Sequence, residues 1–219
     1  MNNKAIILLG NRQVGKDTAA SAITTKYPFT TNVKFSKALK ELAASVTGLP
    51  VSVFAEGDRD IPFTIPSPTL NWKLLATTLG ITEIPLGYDD CLTPRDILIW
   101  LGTDVIRTHA GEGWHIHRTQ EGLPVGKIPI FTDMRFENEL DWVLETFDSV
   151  SVGLIHRNGF PVDCHELELS KVIHKLIVMG MFKMGGNKIS ISIFPNHKDI
   201  MYLQTNILDW FTKSLKETR

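Results

Sequence analysis

Nine residues, Gly10-Asn11-Arg12-Gln13-Val14-Gly15-Lys16-Asp17-Thr18, constrain this chain more than any other stretch, because of what flanks them. Before them runs Lys4-Ala-Ile-Ile-Leu-Leu9, an apolar segment of the kind that forms a strand buried on both faces. After Lys16 come Ala19, Ala20 and Ala22, residues that favour a helix. Strand, Gly-x4-Gly-Lys and helix together make a phosphate-binding loop. Successive backbone N–H groups and the helix N-terminus surround phosphate oxygens, and the lysine adds a mobile positive charge. The competing reading is a chance glycine turn ahead of a helix; the strand before it and the helix after it favour the phosphate loop.

One position departs from the usual pattern. Asp17 stands where Ser or Thr normally offers its hydroxyl to Mg2+, and Thr18 follows. A carboxylate there takes Mg2+ directly or through water, since hard cations prefer oxygen ligands. With no metal at all, it also suits the positive end of the helix dipole.

With 219 residues, 43% hydrophobic and 21% charged, the chain has the make-up of one globular domain, or of a core with insertions. A formal net charge of −1 gives no broad polyanion-binding surface, so nucleic acid is not an expected partner. Cys91 and Cys164 lie far apart without metal-ligand spacing, which favours reduced thiols in a cytosolic protein. The first apolar run is too short for a secretory signal, and no stretch is long enough to span a bilayer. A cytoplasmic protein without a membrane partner is expected.

Asn32 to Phe35 reads as a second strand. Ser36 then caps a helix from Lys37 to about Val46, closed by Gly48 and Pro50. This β-α-β unit opens a parallel α/β sheet. Residues 50–68 hold four prolines and read as a long irregular connection. A short helix from about Leu70 to Leu79 stops at Gly80, and a loop with Pro85, Gly87, Asp89 and Asp90 follows. Thr93, Pro94 and Asp96 mark the best-signposted helix start in the chain, a capping box with proline in the first turn. Ile97, Leu98, Leu101, Val105 and Ile106 should face the core, and Thr103 and Arg107 should share a face near Asp104. The alternative reading of Arg107 there is a surface partner of Asp104. The spacing leaves His115 and His117 solvated and without a metal.

Lys127 to Asp133 is another apolar strand, and it ends in a carboxylate. Asp133 reads either as a second holder of Mg2+, because ligands gather at the carboxyl ends of parallel strands, or, with Thr132, as the N-cap of a helix from about Glu137 to Phe147. Arg135 would lie near a phosphate placed there. Ser149 to Ile155 reads as a strand leading to a turn at His156-Arg157-Asn158-Gly159. Val162 to Lys188 is mixed, and Ile189 to Phe194 alternates as a last strand. A helix from about Lys198 to Lys216 should bury Ile200, Leu203, Ile207, Leu208 and Phe211.

With these residues in place, the chain resembles the bacteriophage deoxynucleoside monophosphate kinases, a branch of the P-loop nucleoside monophosphate kinases. The likeness rests on the loop at 10–18 with its aspartate, on Phe35-Ser-Lys-Ala-Leu-Lys40, and on Thr93-Pro-Arg95. It continues through Leu101-Gly-Thr-Asp-Val-Ile-Arg107, Trp114 and Thr132-Asp-Met-Arg-Phe-Glu-Asn-Glu139. Arg157 with His165 and Glu168 resembles the family's lid, although Leu167 stands where the family has serine. Asn196 resembles the asparagine of a late adenine-contacting turn, with His197-Lys198 after it in place of a glycine.

The resemblance implies a three-layer α/β P-loop fold, a parallel sheet flanked by helices, in a single domain over 1–219. It places an acceptor-binding helical insertion at about 36–120 and a lid-like segment at about 157–188. It further implies transfer of the ATP γ-phosphoryl group to a deoxynucleoside 5′-monophosphate, with ATP and Mg2+ as cofactors and small molecules as partners; a homodimer is compatible with it. Gly10 to Thr18, led by Lys16, would hold the donor phosphates, and Asp17, Thr18 and Asp133 the Mg2+. Arg135 and Arg107 would grip the acceptor phosphate, and Arg157 would arrive with the lid. Lys16, Asp17, Arg135 and Arg157 form the implied catalytic set.

Ser36, Lys37, Lys40, Arg95, Asn138 and Glu139 are implied at the acceptor. For Lys37 and Lys40 the alternative is a solvated helix face, and for Asn138 and Glu139 local pairing. Trp114 stacks on the acceptor base or simply belongs to the core. Two rival functions remain beside this one: a kinase for another small metabolite, and a nucleotide-binding switch with slow hydrolysis. The second lacks an Asn-Lys-x-Asp guanine-reading motif in this sequence.

Overall fold

The first apolar run forms strand β1 (Lys4–Leu9), with all six residues buried, in a computed structural model that describes residues 3–55, 71–80, 93–157, 166–182, 188–196 and 199–216. Burial on both faces follows from its place in the middle of a five-stranded sheet. The order is β2 (Thr30–Val33), β3 (Ile128–Phe131), β1, β4 (Ser149–His156) and β5 (Lys188–Pro195). Every pairing is parallel, as strands joined through helices require. The second strand starts and ends two residues earlier than the sequence suggests. Thr30 to Val33 pair with Ile128 to Phe131, while Phe35 is buried in the turn beyond the strand.

Side chains alternate between the two faces of the sheet. Ile6 and Leu8 pack against Ala19, Ala20 and Ile23 of α1 (Lys16–Lys26) and Leu203, Ile207 and Phe211 of α8 (Ile200–Lys216). On the other face, the Phe131 ring meets Trp142 edge-on, 6.0 Å between centroids, on α6 (Glu137–Thr146). Here too α7 (Glu166–Phe182) buries Leu169, Val172 and Leu176. The result is a three-layer α/β architecture. Each Ile or Leu buried in this way contributes about 1.5–3 kcal/mol. In α8 the expected Ile200 is instead 60% exposed, because the helix starts there, with the Asp199 carboxylate accepting from the Tyr202 N–H at 3.1 Å.

One polar residue lies in β1. Lys4 is buried, and its ammonium donates to the Ser214 carbonyl at 2.6 Å, near the C-terminal end of α8, where the helix dipole favours a cation. Lys4→Met keeps the length and removes the donor, so the carbonyl loses a charged partner inside the protein. The expected loss is about 1.5–3 kcal/mol in a urea melt; an unchanged midpoint would show that α8 needs no such tie.

Between β2 and β3 the chain forms a second compact unit, Phe35–Glu121; the first comprises Met1–Lys34 and Gly122–Arg219. The second unit is helical. It holds α2 (Lys37–Thr47), a single 3-10 turn (Val51–Phe54), α3 (Trp72–Leu79), α4 (Pro94–Ile99) and α5 (Trp114–Glu121). Leu42, Phe54, Leu75, Leu101 and Val105 lie in its core. Gly48 closes α2 at φ +71, but Ser36 makes no side-chain cap, because its backbone is already helical (φ −77, ψ −2) where a capping residue is extended. Asn71 caps α3 through the Leu74 N–H.

The capping box of α4 is present. The Thr93 hydroxyl accepts from the Asp96 N–H at 3.1 Å, and the Asp96 carboxylate from the Thr93 N–H at 2.8 Å. Beyond Ile99 the helix widens to π geometry over Trp100–Ala110. The wider turn stacks Thr108 above Thr103, whose carbonyl accepts the Thr108 hydroxyl at 3.4 Å, where an α-helix would have stacked Arg107. His115 is buried and edge-on to Trp114, so of the two histidines expected in solvent only His117 is exposed; the cause is α5, a helix not expected there.

The described part of the lid-like segment, 166–182, is α7, which packs on the sheet as the crossover between β4 and β5. Several sequence expectations lie outside the described residues: the connection from 56 to 68, the start of a helix at Leu70, and the loop holding Pro85, Gly87, Asp89 and Asp90. The same holds for Cys91, Cys164, Asn158-Gly159, His165, 183–187 and His197-Lys198. Among the described residues, no helix is long and apolar enough to cross a membrane.

Candidate functional site

In the first unit, the loop leaving β1 is bent by three residues with positive φ: Gly10 at +143°, Gln13 at +60° and Gly15 at +104°. Gln13 is a non-glycine residue held in a left-handed conformation, a local strain that surrounding structure must stabilise. Left-handed residues between right-handed ones turn successive N–H groups toward one point, which makes an anion-binding concavity. At Gly10 a Cβ would overlap the Ile155 carbonyl of β4, so the loop can pass the strand end only without a side chain.

Asn196, just after β5, braces the loop. Its side-chain N–H donates to the Val14 carbonyl at 2.7 Å, its backbone N–H to the His156 carbonyl at 2.7 Å, and it is buried. The resemblance implies a contact with adenine. The structure gives Asn196 a supporting place beneath the loop.

Lys16 opens α1 and turns back over the loop, its ammonium 2.7 Å from both the Gly10 and the Asn11 carbonyls. Asp17 follows in the first turn, and two residues from other strands meet its carboxylate. The Thr132 hydroxyl, at the end of β3, lies 2.9 Å from Oδ1 and 3.3 Å from Asn32 Oδ1. The Lys34 ammonium, just beyond β2, lies 2.8 Å from the same Asp17 Oδ1. The carboxyl ends of β1, β2 and β3 thus converge on Asp17. The crossover from β1 leads to one side of the sheet and that from β3 to the other, so this is where a parallel sheet opens its crevice.

Neither Lys34 nor Asn32 was singled out by the sequence. Their signal was a strand end: with β2 running through Phe35, Lys34 sits in mid-strand; ending at Val33, it sits among the residues that meet ligands.

Asp133 and Thr18 are both half-buried beside this cluster in sequence. The N-cap alternative for Asp133 and Thr132 is not realised, because α6 begins at Glu137 and Phe136 precedes it. Glu139 is buried and accepts from the N–H groups of Arg135 (2.8 Å) and Phe136 (3.1 Å), so it fixes the start of α6 and shapes the turn that carries Arg135. This is the local pairing, one of the two readings of Glu139. Arg135 and Asn138 are half-buried. Arg157, after β4, makes a long contact of 3.5 Å from Nη1 to the Gln13 carbonyl, which sets it beside the loop.

The donor set suits Mg2+. Among the described residues, no group of three His, Cys, Asp or Glu side chains could hold a metal alone. One carboxylate with the Thr132 hydroxyl beside it matches an ion that keeps several of its waters.

The other implied residues belong to the second unit. Lys37 is exposed, 4.0 Å from Glu41 one turn on, and so sits on a solvated helix face. Ser36, Lys40, Arg95 and Arg107 are half-buried. Trp114 takes the core reading in part. It packs against the second unit's core, and it also lines a surface cavity of about 440 Å³ with Thr78, Gly113, His117 and Arg118, whose guanidinium lies 5.7 Å from the Trp114 ring.

No protein-family model matches the sequence, and no curated protein matches it. Among solved structures, the chain is similar to an unliganded sugar kinase from Janibacter sp. HTCC2649, at 12% identity and a TM-score of 0.38, over 97% of this chain and 95% of that one. A likeness this low bears on neither the fold nor the activity.

Proposed function

We propose that this protein is a P-loop phosphotransferase that moves the γ-phosphoryl group of ATP to a deoxynucleoside 5′-monophosphate, yielding the diphosphate and ADP. The observation that carries the phosphotransferase reading is a loop bent by three positive-φ residues, with Lys16 folded over its carbonyls and the Asp17 carboxylate, in the turn that follows, held by Thr132. The choice of acceptor rests on the sequence resemblance in Thr93 to Arg107 and Thr132 to Glu139.

Phosphoryl transfer demands positioning and charge stabilisation more than covalent chemistry. In this reading the amides of residues 10–16 receive the β- and γ-phosphates, and Lys16 swings from the Gly10 and Asn11 carbonyls to the phosphate oxygens. Asp17, Thr18 and Asp133 are the chain's holders of Mg2+, which when bound neutralises charge on the transferring group. The resemblance assigns Arg135 and Arg107 to the acceptor phosphate, where a planar fork matches two oxygens at once. Arg157 adds a cation beside the loop. The acceptor is already anionic, so no general base is required.

The test is ADP release from MgATP with each of the four deoxynucleoside monophosphates, their ribonucleotide counterparts and no acceptor. Stimulation by a deoxynucleoside monophosphate is expected. Stimulation by another phosphorylated or hydroxylated metabolite alone would redirect the acceptor, and release without any acceptor would favour a hydrolytic switch. Arg107→Ala is expected to raise the acceptor KM about 10- to 100-fold, the loss of one charged hydrogen-bonding group, with the ATP KM changed much less. Equal changes in both would take Arg107 away from the acceptor.

A further inference from the structure

Asp17 Oδ1 already has a cation. Lys34 Nζ lies 2.8 Å from it, with the Thr132 hydroxyl 2.9 Å from the same oxygen. A divalent ion held by Asp17 would sit on the same carboxylate, within a few ångströms of that ammonium, and two cations so close repel each other strongly. We propose that Lys34 is the internal rival of the divalent cation for Asp17: metal binding displaces the ammonium, and Lys34 thereby sets the metal affinity of the loop.

This inference rests on the phosphotransferase reading of the site. Three features of Lys34 support the exchange. Its side chain is 25% exposed and that of Asp17 39%, so the pair is open enough to part without exposing a buried charge. The residue lies just past the end of β2, on a flexible four-carbon stem that can turn aside. Its freed ammonium would stay at the strand ends where phosphates gather, so the charge leaving Asp17 is kept near the anion that the metal accompanies. Lys34 is therefore a positioning residue, acting through Asp17.

The experiment is Mn2+ binding to nucleotide-free protein, followed by electron paramagnetic resonance. Lys34→Met is expected to bind Mn2+ at least about threefold more tightly than the natural protein, in line with a half-exposed ion pair. Lys34→Arg should restore the natural affinity, and Asp17→Asn should abolish the difference. A companion measurement needs no variant: Mg2+ should raise the rate of reductive methylation at Lys34, read by mass spectrometry. Unchanged or weaker Mn2+ binding by Lys34→Met, or methylation of Lys34 indifferent to Mg2+, would overturn the proposal. ATP binding by the same samples separates the two levels. Retained ATP binding with an unaltered Mn2+ affinity discards only the role of Lys34, whereas loss of ATP binding by the natural protein discards the phosphate loop as well.

Discussion

Lys16→Ala is expected to lower turnover by at least about 10²-fold, the usual cost of losing one preorganised donor to developing charge. The thermal midpoint should move by only a few degrees. The reason for the split lies in what the lysine touches. Its ammonium bonds two loop carbonyls, Gly10 and Asn11, and the side chain is half-buried, so water replaces it at those oxygens at a cost of about 1 kcal/mol. In the proposed donor site nothing would replace it at the phosphates, where a cation inside a loop of amides would work in a partly dehydrated setting. The check is paired: steady-state ADP release and a thermal melt on the same preparation. Natural activity in the variant would remove the loop from the chemistry. A collapsed melt would leave the activity loss without meaning, and Lys16→Met, which keeps the stem, would then take its place.

The sheet and its flanking helices were legible because their signals are local and strong. Five consecutive apolar residues at 5–9 leave no polar face, so β1 could only be an inner strand. Thr93-Pro94 with Asp96 specifies a helix start through its own hydrogen bonds. Ser36 shows the limit of that kind of signal. A serine before a helical run matches the composition of a cap, but the turn between β2 and α2 gives it helical torsions, and the side chain never takes the capping geometry. The π segment shows another limit. Leu101, Val105 and Ile106 fit α and π spacing equally well, so the apolar pattern could not report the wider turn that stacks Thr108 over Thr103.

The candidate site divides in the same way. The loop and Lys16 could be read because they are contiguous, and each residue implies its neighbour's role. Lys34, Asn32 and Thr132 come from two other strands, 17 and 115 residues or so from Asp17, and only the strand order brings them to it. Asn196 has a role that its motif does not report. It matched a motif for adenine, yet its amide holds the Val14 carbonyl from below. Glu139 is the same kind of case: a residue of a specific-looking motif whose buried carboxylate orders the backbone at Arg135 and Phe136. Motif residues here include supports of the site as well as groups that would face a ligand, and sequence patterns do not separate the two.

Gly10→Ala should be the most damaging single-methyl change in the first unit, and its effect can be divided into two causes. Gly10 has φ +143, a conformation that L-residues avoid, and a Cβ there would overlap the Ile155 backbone carbonyl and lie 2.9 Å from Val14 Cγ2. The carbonyl belongs to β4 beside β1 and cannot swing away without breaking the sheet. Torsional strain of about 1–3 kcal/mol and overpacking of about 1–3 kcal/mol should therefore add. Gly48→Ala is the control, for Gly48 also has positive φ (+71) but no atom within 4 Å of its Cβ position. It should cost only about 1 kcal/mol, the left-handed penalty alone. Urea melts of the two variants measure the difference, and ATP binding of folded Gly10→Ala reports the loop itself. The methyl should push residues 10–15 off the strand end and separate the N–H groups from a common focus, so binding should fall further than stability. Equal melts for the two variants would mean that the loop yields easily at Gly10, and the close approach to β4 would then be no constraint on the phosphate site.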